Sequence, residues 1–167
     1  MKLSRGFTLM ELLIVLAIIV IIAAITIPSL TAVKIHGNET SAAASLRAIQ
    51  TAQTSYQTTY TDHGYATSLS ALGGPEDCKP SPDAACLIDE GLASGSKAGY
   101  VFAVTGGDLA NGVNSTYVAG AAPAAYNHTG IRRFCTTEKN VLRADPNTEG
   151  STSPPTAQEC AHFAVIR

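Results

Sequence analysis

Charge is scarce in this sequence. Asp, Glu, Lys and Arg make up 14% of its 167 residues, against roughly a quarter in soluble domains. The formal net charge is only −2, which excludes the basic footprint of a nucleic-acid binder and the polybasic patch of a membrane-surface protein. Catalytic signatures are missing too. No G-x-S-x-G, P-loop or H-E-x-x-H occurs, and His36, His63, His128 and His162 have no metal or catalytic spacing. No enzymatic activity is expected. Glycine and proline are nearly absent up to Tyr60: twelve of fourteen glycines and seven of eight prolines follow it. Long helices are thereby excluded from the C-terminal remainder, and turns should be many.

Much of the charge deficit is local. No charge occurs from Leu12 to Val33, and Leu12 to Ile25 is apolar throughout. As a helix rising about 1.5 Å per residue, the uncharged run would measure about 33 Å, enough to cross a hydrocarbon core of about 30 Å. Lys2 and Arg5 precede it, and the next cation is Lys34. The positive-inside bias therefore predicts a cytoplasmic N-terminus and an outward-facing remainder. All four cysteines lie in that remainder, where an oxidising compartment permits disulfides. Glu11 is out of place at the head of the run. An ionised carboxylate in a bilayer costs about 2.5–3.5 kcal/mol on insertion scales and usually needs a partner, yet no cation lies within Leu12 to Val33.

A secretory signal ends its apolar region with a small-residue cleavage site. Here TIPSLTAVKIHG follows instead, and the small residue, Gly6, comes before the run. The pattern KLSRG followed by FTLMELLIVLAIIVIIAAITIP resembles the prepilin signal of type IV pilins and type II secretion pseudopilins. The resemblance is confined to the N-terminal segment, where it is highly specific. It implies that residues 1–6 are a leader, cut between Gly6 and Phe7 by a dedicated membrane peptidase that also methylates Phe7. It implies that Glu11 pairs with the new amine of Phe7 on a neighbouring subunit, a register-setting ion pair in a dry bundle. Pro28 removes a helical hydrogen bond, so a kink or loosened stretch is expected there.

The implied partners are copies of the chain in a helical filament, the prepilin peptidase, an inner-membrane assembly platform and, before assembly, membrane lipid. The implied location is the bacterial inner membrane, N-terminus cytoplasmic and head periplasmic, and then a filament at the cell surface or across the periplasm. The expected function is a structural subunit of a type IV pilus-like filament. The alternatives are a type II secretion pseudopilin or minor pilin and, from another class, a membrane-anchored extracytoplasmic binding domain that does not polymerise.

Beyond the apolar run the helical pattern continues. Ala42 to Ala44, Leu46, Ile49, Tyr56 and Tyr60 form a stripe at spacings of three and four, interrupted by Gln53, with Gly37 and Asn38 as weak points. One helix from Thr8 to about Tyr60 is predicted, its second half (34–60) needing cover on one face. The β-prone runs GYVFAV (Gly99 to Val104), STYVAG (Ser115 to Gly120), RRFCTT (Arg132 to Thr137), NVLRA (Asn140 to Ala144) and HFAVIR (His162 to Arg167) predict short strands in a head over 61–167. TEKN suggests a hairpin, and SLSALGG a helical turn ended by Gly73. The fold class is α+β: a long N-terminal helix, its membrane-spanning half (7–33) kinked at proline, packed against a C-terminal antiparallel β-sheet. This arrangement also resembles the pilin fold.

Four cysteines allow three pairings. The expected set is Cys78–Cys86 with Cys135–Cys160; the second is similar to the C-terminal disulfide of many type IV pilins, and closing such a loop contributes about 3 kcal/mol. Major pseudopilins typically lack such bonds. The cysteine spacing fits no zinc-knuckle pattern. DPNTEG (Asp145 to Gly150) alternates oxygen ligands like the start of a calcium loop, but Thr156 stands where the bidentate acid belongs. A solvated turn is expected there. No cofactor is expected, calcium being the one left open. The N-x-S/T triplets at Asn38, Asn114 and Asn127 and the exposed run EGSTSPPT carry little weight as glycosylation signals.

Overall fold

The computed structural model describes residues 7–75, 77–110 and 112–166, without the side chains of 25–29. The chain divides into two compact units, Met1–Lys34 and Ile35–Arg167, and helix α1, Leu9–Thr59, contributes to both.

In the first unit α1 has no polar face. Every side chain from Phe7 to Ile21 is exposed, among them Leu9 at 78% and Ile21 at 63%. A helix that is apolar all round requires surroundings other than water. Among the described residues no helix is long and apolar enough to cross a membrane; the described side chains break off at Ala24, inside the apolar run. The backbone stays helical through Pro28, whose side chain lies outside the described set.

The second unit holds the rest of α1 and three short helices: α2 (Leu69–Leu72), α3 (Glu90–Ala93) and α4 (Ala157–His162). Its strands are β1 (Ser96–Lys97), β2 (Tyr100–Gly106), β3 (Leu109–Ala110), β4 (Val113–Asn114), β5 (Tyr117–Pro123), β6 (Arg133–Thr137), β7 (Arg143–Asp145) and β8 (Ala164–Val165). Six of them form an antiparallel sheet in the order β1-β2-β5-β6-β7-β8, and β3 and β4 form a small hairpin. Phe102 stands opposite Ala121, and Ala121 opposite Phe134. Alternation along each strand then puts Tyr100, Phe102, Val104, Ala119, Ala121 and Phe134 on one face. The α1 stripe of Ala42, Leu46, Ile49, Ala52 and Tyr56 joins that face in a single core.

The polar interruption at Gln53 is resolved in place. The side chain is fully buried. Its Nε2 donates to the Ala66 carbonyl and its Oε1 accepts from the Ala66 amide, both at 2.9 Å. No break occurs at Gly37 or Asn38. Ile35, Glu39 and Ala42 are buried around them, and Asn38 Nδ2 donates to the Thr129 carbonyl at 2.8 Å. Packing of this face outweighs the roughly 1 kcal/mol that glycine costs a helix.

The outer face carries a smaller cluster of Val118, Cys135, Cys160 and Phe163. Gly120 makes it possible. A Cβ there would stand 2.8 Å from Pro155 Cδ and 3.0 Å from the Pro155 carbonyl oxygen, so only glycine lets the chain before α4 lie directly on β5. Helix α4 then starts with a capping box, Thr156 with Glu159. The sequence reading missed this helix and extended a strand from His162; only Ala164–Val165 pair with β7. T-x-x-E was the available signal. NVLRA likewise begins its strand late. Asn140 has φ 54° and its amide donates to the Thr137 carbonyl at 2.9 Å, so the first residues of that run belong to the turn. SLSALGG folds as expected, capped by Ser68 and Gly73.

Two glycine substitutions should move stability in opposite directions. Gly120→Ala should cost about 1–3 kcal/mol by overpacking. Gly37→Ala, where an added Cβ meets nothing within 4 Å, should gain up to about 1 kcal/mol. Urea unfolding followed by circular dichroism measures both.

Candidate functional site

The first turn of a helix has amides without helical acceptors. At the start of α1 the partner is Glu11. Its Oε2 accepts from the Thr8 amide and from the Thr8 hydroxyl, both at 2.9 Å, while Thr8 Oγ1 accepts from the Glu11 amide at 3.2 Å. This is a reciprocal capping box. Glu11 therefore has a role within its own chain that the sequence reading did not include, although T-L-M-E ahead of an apolar run is its signature. Both Thr8 bonds end on Oε2; Oε1 takes neither. Phe7 lies just before the cap and is 79% exposed. The expected cleavage point falls between it and Gly6, which lies outside the described residues.

The cysteines form two disulfides, Cys78–Cys86 and Cys135–Cys160. The second is fully buried. It joins β6 to α4, on which Cys160 sits. The first closes a short loop whose Pro82 carbonyl accepts from Tyr56 Oη at 2.8 Å, which fixes that loop to α1.

Among the described residues, two ion-pair systems of the head centre on buried groups, Glu39 and Arg133. Glu39, on α1, is 3% exposed. Its Oε1 accepts from the Ile131 and Arg132 amides, both at 3.1 Å, and its Oε2 from Arg132 Nε at 2.9 Å. Burial pushes this carboxyl up, but the donors on Arg132 and Ile131 outweigh it and hold Glu39 below its ordinary value. Arg133, on β6, bonds Asp145 Oδ2 through Nε at 3.2 Å and Nη2 at 3.0 Å, and Glu159 Oε1 through Nη1 at 2.8 Å. The Thr156 amide, the Arg133 guanidinium and the Thr156 hydroxyl lower Glu159 to about 2.

The DPNTEG segment is not simply a solvated turn. Asn147 is 1% exposed. Its Nδ2 donates to the Ile131 and Ser151 carbonyls, each at 2.9 Å, and its Oδ1 accepts from the Ser151 amide at 2.8 Å. The alternating oxygens thus close a structural loop, and Asp145 is engaged by Arg133. Among the described residues no group of three His, Cys, Asp or Glu is placed to hold a metal ion.

Residues 1–27 match the family described as the prokaryotic N-terminal methylation motif. A stretch of 72 residues is 42% identical to the type IV wide pilus major component PilA4 of Thermus thermophilus, covering 43% of this chain and 53% of that protein. A stretch of 53 residues is 47% identical to the type IV major pilin protein PilA of Myxococcus xanthus, covering 32% of this chain and 24% of that one. The chain thus spans about half the length of the first relative and about a quarter of the second. No solved structure is significantly similar to it.

Among the described residues three head carboxyls, Glu39, Asp89 and Glu159, are depressed on folding, the first by buried donors and the last most strongly, and they contribute to the acid limit of the head. A carboxyl lowered on folding stabilises above its unfolded value, near 4.3, and loses that contribution as pH falls through the folded one. The thermal midpoint should therefore hold above about pH 5 and decline toward about pH 2. Glu159→Gln should lower the midpoint at pH 7 and flatten the decline; thermal scans of both proteins across this range measure it.

Proposed function

We propose that this chain, which carries the N-terminal methylation motif and is similar to major type IV pilins, is a structural subunit of a type IV pilus-like filament. One observation carries the reading: within the stretch matched by the N-terminal methylation motif, every side chain from Phe7 to Ile21 is exposed at the start of α1, with a single carboxylate, Glu11, among them. Before assembly, lipid surrounds this helix; in the filament, neighbouring helices do. Exchanging one for the other keeps backbone hydrogen bonds satisfied and apolar surface away from water. Repeated head-to-tail contacts without closure give a filament.

Processing between Gly6 and Phe7 supplies the cation that the apolar run lacks. The capping box leaves Glu11 Oε1 for the Phe7 ammonium of a neighbour, and methylation of Phe7 preserves that charge. The pair would fix the axial register of adjacent subunits. Pro28 loosens the helix where it repacks. The peptidase, an inner-membrane platform and further copies of the chain are the partners in this reading, and the role is structural rather than catalytic. Two disulfides favour a pilus over a secretion pseudopilin.

Electron microscopy of native material, with mass spectrometry of its N-terminus, tests the reading directly. Filaments of a chain beginning at methylated Phe7 are expected; isolated copies beginning at Met1 would contradict it. Glu11→Ala should abolish filaments while precursor persists in the membrane, and Gly6→Val should leave uncleaved precursor on an immunoblot.

A further inference from the structure

The outer face of the sheet holds a groove of about 500 Å³ between the start of α4 and the exposed side of β2. That volume lies within the range of small-ligand sites. Helix α4 covers β6 and part of β5; Ala103 and Thr105 on β2 remain exposed. Two cations stand at one end. Lys139 is exposed and has no side-chain partner among the described residues. Arg143 is anchored by Nη1, which donates to the Phe163 carbonyl at 2.9 Å, and its Nη2 and Nε bond no acid there. Such an arrangement presents positive charge from one fixed and one adjustable side chain.

The remaining lining narrows the chemistry. Thr105 on β2, Thr116 just before β5 and Thr137 on β6 bring hydroxyls to the groove, and Val118 supplies an aliphatic floor. Glu138 also lines the groove, which disfavours a bare multivalent anion such as phosphate and offers an acceptor to ligand hydroxyls. Strands β2, β5 and β6 pair with one another beneath it, so no strand edge is open to an extended peptide. One negative charge, several hydroxyls and an apolar ring face are the features that match.

We propose that this groove binds an acidic saccharide, a pyranose unit whose carboxylate lies against Lys139 and Arg143 while its hydroxyls meet the threonines and Glu138. The site lies wholly within Ile35–Arg167, outside the exposed apolar helix on which the proposed structural role rests, and goes beyond that role. On an assembled filament it would make the head an adhesive surface for acidic polysaccharide.

Digalacturonate titrated into the full-length ¹⁵N-labelled chain in detergent micelles tests this by amide shifts. Saturable shifts at Thr105, Thr137 and Lys139 are expected, with affinity at least about tenfold weaker for a neutral disaccharide, for inorganic phosphate and for an Asp-containing tripeptide. Lys139→Glu and Thr105→Val should each weaken binding at an unchanged thermal midpoint, since both side chains are exposed. No saturable shift, equal affinity for any of the three controls, or unaltered binding in Lys139→Glu would overturn the proposal.

Discussion

The apolar stripe of α1 from Ile35 to Tyr56 has to be covered, and the inner face of the sheet covers it. Everything else in the head follows from that contact. Tyr100 and Phe102 on β2 and Phe134 on β6 supply bulk, while Ala119 and Ala121 on the strand between them keep the surface low enough for the helix to approach. The helix returns the fit with Leu46, Ile49 and Ala52. Two amides within the contact find partners: Gln53 takes both backbone groups of Ala66, and Gln50 bonds Thr136 on β6; Tyr117 Oη, buried in the same core, has no hydrogen-bond partner among the described residues. A buried amide left unpaired would cost about 1–3 kcal/mol, so these pairings also fix the register of helix on sheet.

Three glutamates show how position decides what a carboxylate does. Glu11 stands in the first turn of an exposed helix and caps it. Glu39 is buried in the same helix, where a lone charge would be costly; two amides and a guanidinium neutralise it, and the helix is thereby fastened to the segment before β6. Glu159 is again a first-turn residue, but its second oxygen meets Arg133, which links the C-terminal helix to β6 and, through Asp145, to β7. The Cys135–Cys160 bond spans the same β6–α4 junction, so covalent and ionic links reinforce one another on the face that α1 does not reach.

The two units differ in how they treat their apolar residues. Ile35–Arg167 buries its own apolar residues and presents charge and hydroxyls to water. Residues 7–21 bury nothing of their own. A chain built this way is incomplete as a single copy in water. In the proposed reading, lipid and neighbouring helices are the two surroundings that satisfy it.

Much of this was legible in the residues. The N-terminal methylation motif, the apolar run, Glu11 and the α1 stripe are local patterns, and motif, period and composition report local patterns well. The long helix, the central strands and the turn at SLSALGG follow from the same cues. By itself the sequence determined where water is excluded, where the helix lies and which segments are extended, because these depend on residues near in the chain. Tertiary structure alone decided what pairs across distance: Glu39 with Arg132 over an |i−j| of 93, Asn147 with Ile131, and Pro155 lying on Gly120. Such contacts depend on how the sheet folds over the helix, and neither partner carries a local signal of the other.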